Sequence, residues 1–208
     1  MTKIYFLILC FVSFTNAQKI KNDTIQLNET ILYDKSKFRL KRVGSDTKTK
    51  TVQVGLNSDI NFKNDSLPKY IKEIAIPISA SNKEFTFQRI NFNFSNSLQV
   101  DSVIVKVDLL SDLDNRPDKS ILENPFNIVV KKENQSNNIF IYDLRDYNIK
   151  HKGNFYIKVE LLSKLEKPIY LSAALLAKCL YKTKDSKEWH KTPLGITPAI
   201  NADILIKR

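Results

Sequence analysis

The chain has two cysteines, two histidines, one tryptophan and four glycines in 208 residues, and each scarcity closes off a class of protein. Cys10 lies within an N-terminal apolar run that reads as removable, so Cys179 is the one remaining thiol and no intrachain disulfide framework can form. Hydrolysis through a serine nucleophile needs a histidine to take its proton. His151 and His190 both sit among lysines, and no G-x-S-x-G elbow accompanies them. Zinc needs three or four Cys, His or carboxylate ligands at workable spacing, which one thiol and two distant histidines do not supply. Cys179, inside Ala173–Leu180, reads as a small core residue. A transmembrane helix needs roughly 20 apolar residues. Ile4 to Phe14 has 11, and Ile169 to Leu180 is short and carries Lys178. Neither enzyme activity nor a cofactor is expected.

The chain opens on Met1-Thr2-Lys3, the apolar run to Phe14, and small residues at Thr15 and Ala17 before Gln18. That is a secretory signal over residues 1–17, and it makes the protein exported: periplasmic, outer-membrane-associated or extracellular. Bulky Leu9 before Cys10 argues against a lipoprotein cysteine. The net charge is +11, but only six of the 33 basic residues are arginine, the usual bidentate reader of phosphate. The lysines are scattered. The densest group (Lys35, Lys37, Arg39, Lys41, Arg42) alternates as the exposed face of a strand or loop does. A solvated basic surface is the expectation, and nucleic acid is not an expected partner.

Apolar residues recur at period two along most of the remaining chain, and no segment holds a helical period. Val52, Val54 and Leu56 make a short strand, and Asn57 to Pro68 a polar connector. Ile74, Ile76 and Ile78 form another, at an edge or a strand end because Pro77 lacks a donor. Phe85 and Phe87 change phase with Ile90, Phe92 and Phe94 across Gln88-Arg89, as a bulge requires. Strands are also expected at Val103–Leu109, Phe126–Val130, Ile139–Leu144, Phe155–Leu161 and Ile200–Ile206. Tyr170 to Ala177 reads as a doubly covered strand, and Leu180–Thr183 with Glu188–His190 as a hairpin. Ser111 to Pro125 reads as one long polar loop. With glycine scarce, asparagine and aspartate must carry the turns. Strands every 8–15 residues point to an antiparallel sandwich.

Two groups of residues carry candidate chemistry. Asp112, Asp114 and Asp118, with Asn115, concentrate oxygens that calcium accepts, but without EF-hand spacing and with Arg116 opposing a cation. Turn aspartates bonded to backbone are the better reading, and no metal is expected. Trp189, Tyr181, Tyr142 and Tyr147 are the rings outside apolar register, and exposed rings can stack on sugars.

Five segments stand in a recognisable order: Leu27–Ile31, Tyr70–Ala75, Val103–Leu110 followed by Arg116–Leu122, Ile141–Ile149 and Phe155–Glu160. Through them the chain, from about Leu27 onward, resembles secreted jelly-roll domains of Bacteroidetes-type bacteria that often follow carboxypeptidase-regulatory-like modules. The resemblance implies an antiparallel jelly-roll β-sandwich over 69–208, after an N-terminal extension (18–68) with one to three short strands. It implies an envelope role, binding or structural, with a glycan or another envelope protein as partner. The alternative is a carbohydrate-binding module with an aromatic platform. It also makes Asp23-Thr24-Ile25, Asp65-Ser66-Leu67 and Asp101-Ser102-Val103 look like bacterial O-glycosylation triplets.

Overall fold

The computed structural model describes residues 33–57, 71, 73–175, 178–183 and 188–208. The expected signal over 1–17, residues 18–32 and 58–68 of the expected extension, and the first two glycosylation triplets lie outside the described residues. Asp34–Arg208 make one compact unit. Its strands are β1 (Phe38–Gly44), β2 (Gln53–Leu56), β3 (Glu73–Ile78), β4 (Glu84–Asn93), β5 (Ser102–Leu113), β6 (Arg116–Ser120), β7 (Phe126–Lys131) and β8 (Ile139–Asp143). They continue with β9 (Lys150–Lys152), β10 (Phe155–Leu161), β11 (Ile169–Ala174), β12 (Leu180–Lys182), β13 (His190–Lys191), β14 (Thr197–Pro198) and β15 (Ile200–Lys207). Every pairing between them is antiparallel. Among the described residues there are short 3-10 turns and no α-helix.

The first sheet runs β1-β15-β4-β8, with β9 also on β4. The second runs β13-β12-β3-β10-β5, with β7 on the first half of β5 and β6 on its second half. A small sheet, β14-β11-β2, joins the end of the first through a bridge between Leu171 and Phe94. The two large sheets share one core because the period-two residues of each face inward. Ile74, Ile76 and Ile78 of β3, Phe155, Ile157 and Val159 of β10, and Ile200, Ala202 and Ile204 of β15 are all buried there. Phe87 meets Phe85 and Phe155 edge-on, with ring centroids 5.3 and 4.8 Å apart. Each such side chain removed from water contributes about 1.5–3 kcal/mol.

The expected bulge is present. Asp203 faces Arg89 and Ile204 faces Phe87, so Gln88 is the extra residue that lets Phe87 and Ile90 both point inward. Pro77 lies beyond the reach of β12, whose pairing with β3 stops at Ala75, so its missing donor interrupts no β12 bond. Two expectations are corrected. The stretch read as a long loop is a hairpin, in which Asp114 and Asn115, both at positive φ, form the two-residue turn between β5 and β6. The stretch read as an extension contains β1, which pairs with β15 along its whole length as an edge strand of the first sheet.

Leaving β1, the chain turns at Gly44 and lies over the outer face of the first sheet on a ladder of buried amides. Asn91 Nδ2 donates to Asn201 Oδ1 at 2.8 Å, and Asn201 Nδ2 donates to the Ser45 carbonyl at 3.0 Å. Asn93 Nδ2 donates to Asp46 Oδ1 and the Thr47 carbonyl, while Arg42 bonds both oxygens of Asp203. Gly44 has φ +101°, and a Cβ there would sit 2.8 Å from Ile78 Cδ1 and 3.1 Å from the Ile200 carbonyl. Gly44→Ala should therefore cost about 2–4 kcal/mol, combining backbone strain with overpacking. Urea unfolding will show the shift; a change below about 0.5 kcal/mol would contradict the tight turn.

Burial pushes the Asp46 carboxyl up, but its bonds from Asn93 and Arg42 prevail, and the net pKa lies below the usual 3.8. Asp143 is lowered likewise, chiefly by the Arg145 guanidinium. A carboxylate lowered in the folded state adds stability above its unfolded pKa, and that stability is lost as pH falls through the folded value. Stability should thus hold from neutrality to about pH 4 and decline below it. Asp46→Asn should shallow that decline in urea titrations at neutral and acid pH; an unchanged acid limb would contradict the assignment.

Candidate functional site

The four candidate rings do not form one platform. Tyr142, at the end of β8, and Tyr147, in the following 3-10 turn, share a hydroxyl–hydroxyl bond of 3.0 Å. Phe126 of β7 packs on both, 4.6 Å from Tyr147 and 5.6 Å from Tyr142 between centroids. Burial, and then the hydrogen bond it shares with Tyr147, push the Tyr142 hydroxyl up to about 12. Tyr147 is 51% exposed. Tyr181 and Trp189 belong to β12–β13 at the opposite edge of the second sheet. Three strands intervene between β12 and β7, a separation of about 19 Å at the usual strand spacing.

Tyr181 and Trp189 also differ in face. Tyr181 packs against the main core beside His190, with centroids 5.7 Å apart, whereas Trp189 packs, with Leu180, against the separate outer-face cluster formed by Ala75, Leu110 and Tyr156. The Lys182 ammonium lies 4.5 Å from the centre of the Trp189 ring, a cation–π contact that occupies one of its faces. Nor does the structure gather the three candidate calcium ligands. Among the described residues no group of three or more His, Cys, Asp or Glu could hold a metal. Asp114 occupies the hairpin turn, and Asp112 faces Pro117 across it.

Asp112 instead belongs to a cleft on the outer face of the second sheet. On that face Leu110 pairs with Tyr156, and Asp112 follows Leu110 on the same side of β5. Two adjoining cavities of about 440 and 590 Å³ share Pro77, Asn115, Tyr156 and Lys178. Asp112 lines the first; Arg116, Lys191 and Leu194 line the second. Asp112 Oδ1 is buried without a hydrogen-bond partner. The Tyr156 ring is 3% exposed, and burial together with the nearby Asp112 charge pushes its hydroxyl up to about 12. At the rim Leu194 sits in the left-handed region (φ 54°) and is 79% exposed. A leucine so placed carries both backbone strain and apolar exposure, a combination that concentrates at binding sites.

The residues of classical hydrolytic chemistry are engaged in structure. His151 bonds the Asn154 carbonyl at 3.2 Å and sets its ring against the edges of Phe85 and Phe155. Cys179 is buried, and burial pushes its thiol up to about 12, so it is no nucleophile at neutral pH. Tyr156, Leu194 and Lys178 escaped sequence reasoning. The one available signal was Asp112 in phase with Leu110, a carboxylate continuing the outward face of a strand. No protein-family model, no curated protein and no solved structure matches the chain.

Proposed function

We propose that this chain is an exported, non-enzymatic component of the bacterial cell envelope that works by binding. Its ligand is a neutral saccharide held in the cleft over Tyr156. The observation that carries this is the buried, unpartnered Oδ1 of Asp112, a residue that lines that cleft. A buried acceptor without a donor costs about 1–3 kcal/mol, more when charged, so its retention calls for a ligand that completes it. Sugar hydroxyls donate to a carboxylate and accept from Lys178, Lys191 and Arg116, while the C–H face of the ring packs on Pro77 and Leu194. The signal-like N-terminus and the family resemblance support export and an envelope setting. The winding is read as a jelly roll on the orders β1-β15-β4-β8 and β3-β10-β5-β7. In them the first, third, sixth and eighth strands make one sheet and the others the second.

A second reading places the sugar on the Tyr142–Tyr147–Phe126 cluster, favoured by the exposure of Tyr147. Native gels containing neutral glucans, xylans or mannans separate the two. One of these polymers should retard the chain. Asp112→Asn should weaken that binding by about tenfold and leave Tm unchanged or higher, since it relieves a buried unpartnered charge. Retardation abolished by Tyr147→Ala and untouched by Asp112→Asn would transfer the function to the aromatic cluster. No retardation by any polymer would count against both.

A further inference from the structure

A second cleft, of about 620 Å³, opens at the far side of the first sheet and is lined by Arg39, Lys41, Ser81, Lys83, Ile206, Lys207 and Arg208. Its composition is one-sided: among the described residues no Asp or Glu side chain lines it. Arg39 and Lys41 pair with Ile206 and Ile204, which face the core, so both cations occupy the core-facing side of β1 where apolar residues would ordinarily stand. Lys83 arrives from the turn before β4 and Lys207 from the end of β15. Neighbouring carboxylates are directed elsewhere: Asp34 lies 3.5 Å from the Lys37 ammonium, and Glu84 faces Lys152 across the β4–β9 pair. Inward-pointing charges on an edge strand also deter strand addition, which accounts for Arg39 and Lys41. It does not account for Lys83, Lys207 and Arg208 lining the same hollow.

We infer that this cleft binds anionic groups, phosphate or sulfate, carried on a saccharide polymer. Like charges held together with no Asp or Glu side chain among the described lining residues repel one another, and an incoming anion relieves that repulsion at every cation it meets. Among the described residues no aromatic side chain lines the cleft for unstacked bases to sit on, which disfavours single-stranded nucleic acid. Among them the one apolar lining residue, Ile206, is buried and cannot wedge into a bilayer. This site stands apart from the Asp112 cleft and does not depend on it.

The test titrates the full chain with dextran sulfate, a phosphorylated mannan, neutral dextran, a short DNA duplex and phosphatidylglycerol vesicles. The charged polysaccharides should bind in a salt-sensitive manner and neutral dextran should not. The double variant Arg39→Ala, Lys41→Ala should weaken that binding by about tenfold, the loss of two charge-assisted contacts. Both residues are exposed, and circular dichroism will verify that the variant folds. Lys119→Ala with Lys132→Ala, an equal charge change at exposed sites outside the cleft, should alter binding less than twofold. Sulfate and phosphate arms identify which group is preferred. Equal weakening by both pairs, or tighter binding to the duplex or the vesicles than to the polysaccharides, would overturn the assignment.

Discussion

Phe87→Ala should destabilise the fold by about 3–5 kcal/mol, the usual cost of emptying a buried aromatic site. For a unit of this size that lowers Tm by about 10 °C. Phe87 is wholly buried, and its ring is held edge-on by Phe85 on its own strand and by Phe155 on the facing sheet. It therefore joins the two layers, and the cavity left behind has walls on two sheets that cannot both relax inward. Phe87→Leu, which keeps most of the volume, should cost about 1–2 kcal/mol. Urea unfolding of the two variants checks the ranking; similar small losses would mean that the layers are not joined through this ring.

Asn201→Ala should cost about 2–3 kcal/mol despite removing few atoms. Asn201 is wholly buried on the outer face of the first sheet, receives a bond from Asn91 and gives bonds to the Ser45 carbonyl and Asp46. The substitution strands those partners beneath the 44–47 crossing, where water cannot replace the lost amide. Asn201→Asp, almost the same in shape, should cost more. It sets a third carboxylate between Asp46 and Asp203 and removes the amide donor both Ser45 and Asp46 use. If the aspartate variant is as stable as wild type, the ladder is not what fastens this crossing.

Strands with a regular apolar register were legible. Ile200, Ala202, Ile204 and Ile206 alternate because one face of β15 is buried along its whole length. Gln88 announced its bulge because two aromatic pairs fell out of phase around it. The first strand of the sandwich was not legible, because an edge strand need not satisfy the pattern: Arg39 and Lys41 stand where apolar residues would have signalled it. Strand β6, Arg-Pro-Asp-Lys-Ser, carries no large apolar residue at all, so its hairpin looked like loop. The cleft was hidden for a different reason. Asp112 and Tyr156 are far apart in sequence and meet only through the register of β5 with β10. The four candidate rings could not be ranked in sequence because exposure depends on what covers each ring: Lys182 covers one face of Trp189, and Tyr181 packs against the core.

Trp189 is the only tryptophan and packs, with Leu180, against the outer-face cluster of Ala75, Leu110 and Tyr156, so its emission is a label-free probe of the sheet face that carries the proposed cleft. The most direct measurement is a fluorescence titration with whichever saccharide retards the chain in gels, on wild type and on Asp112→Asn. A saturable change in emission, shifted about tenfold to higher concentration by Asp112→Asn, is the predicted result. Retention of the saccharide with no change in Trp189 emission, and with the same affinity in both proteins, would contradict it.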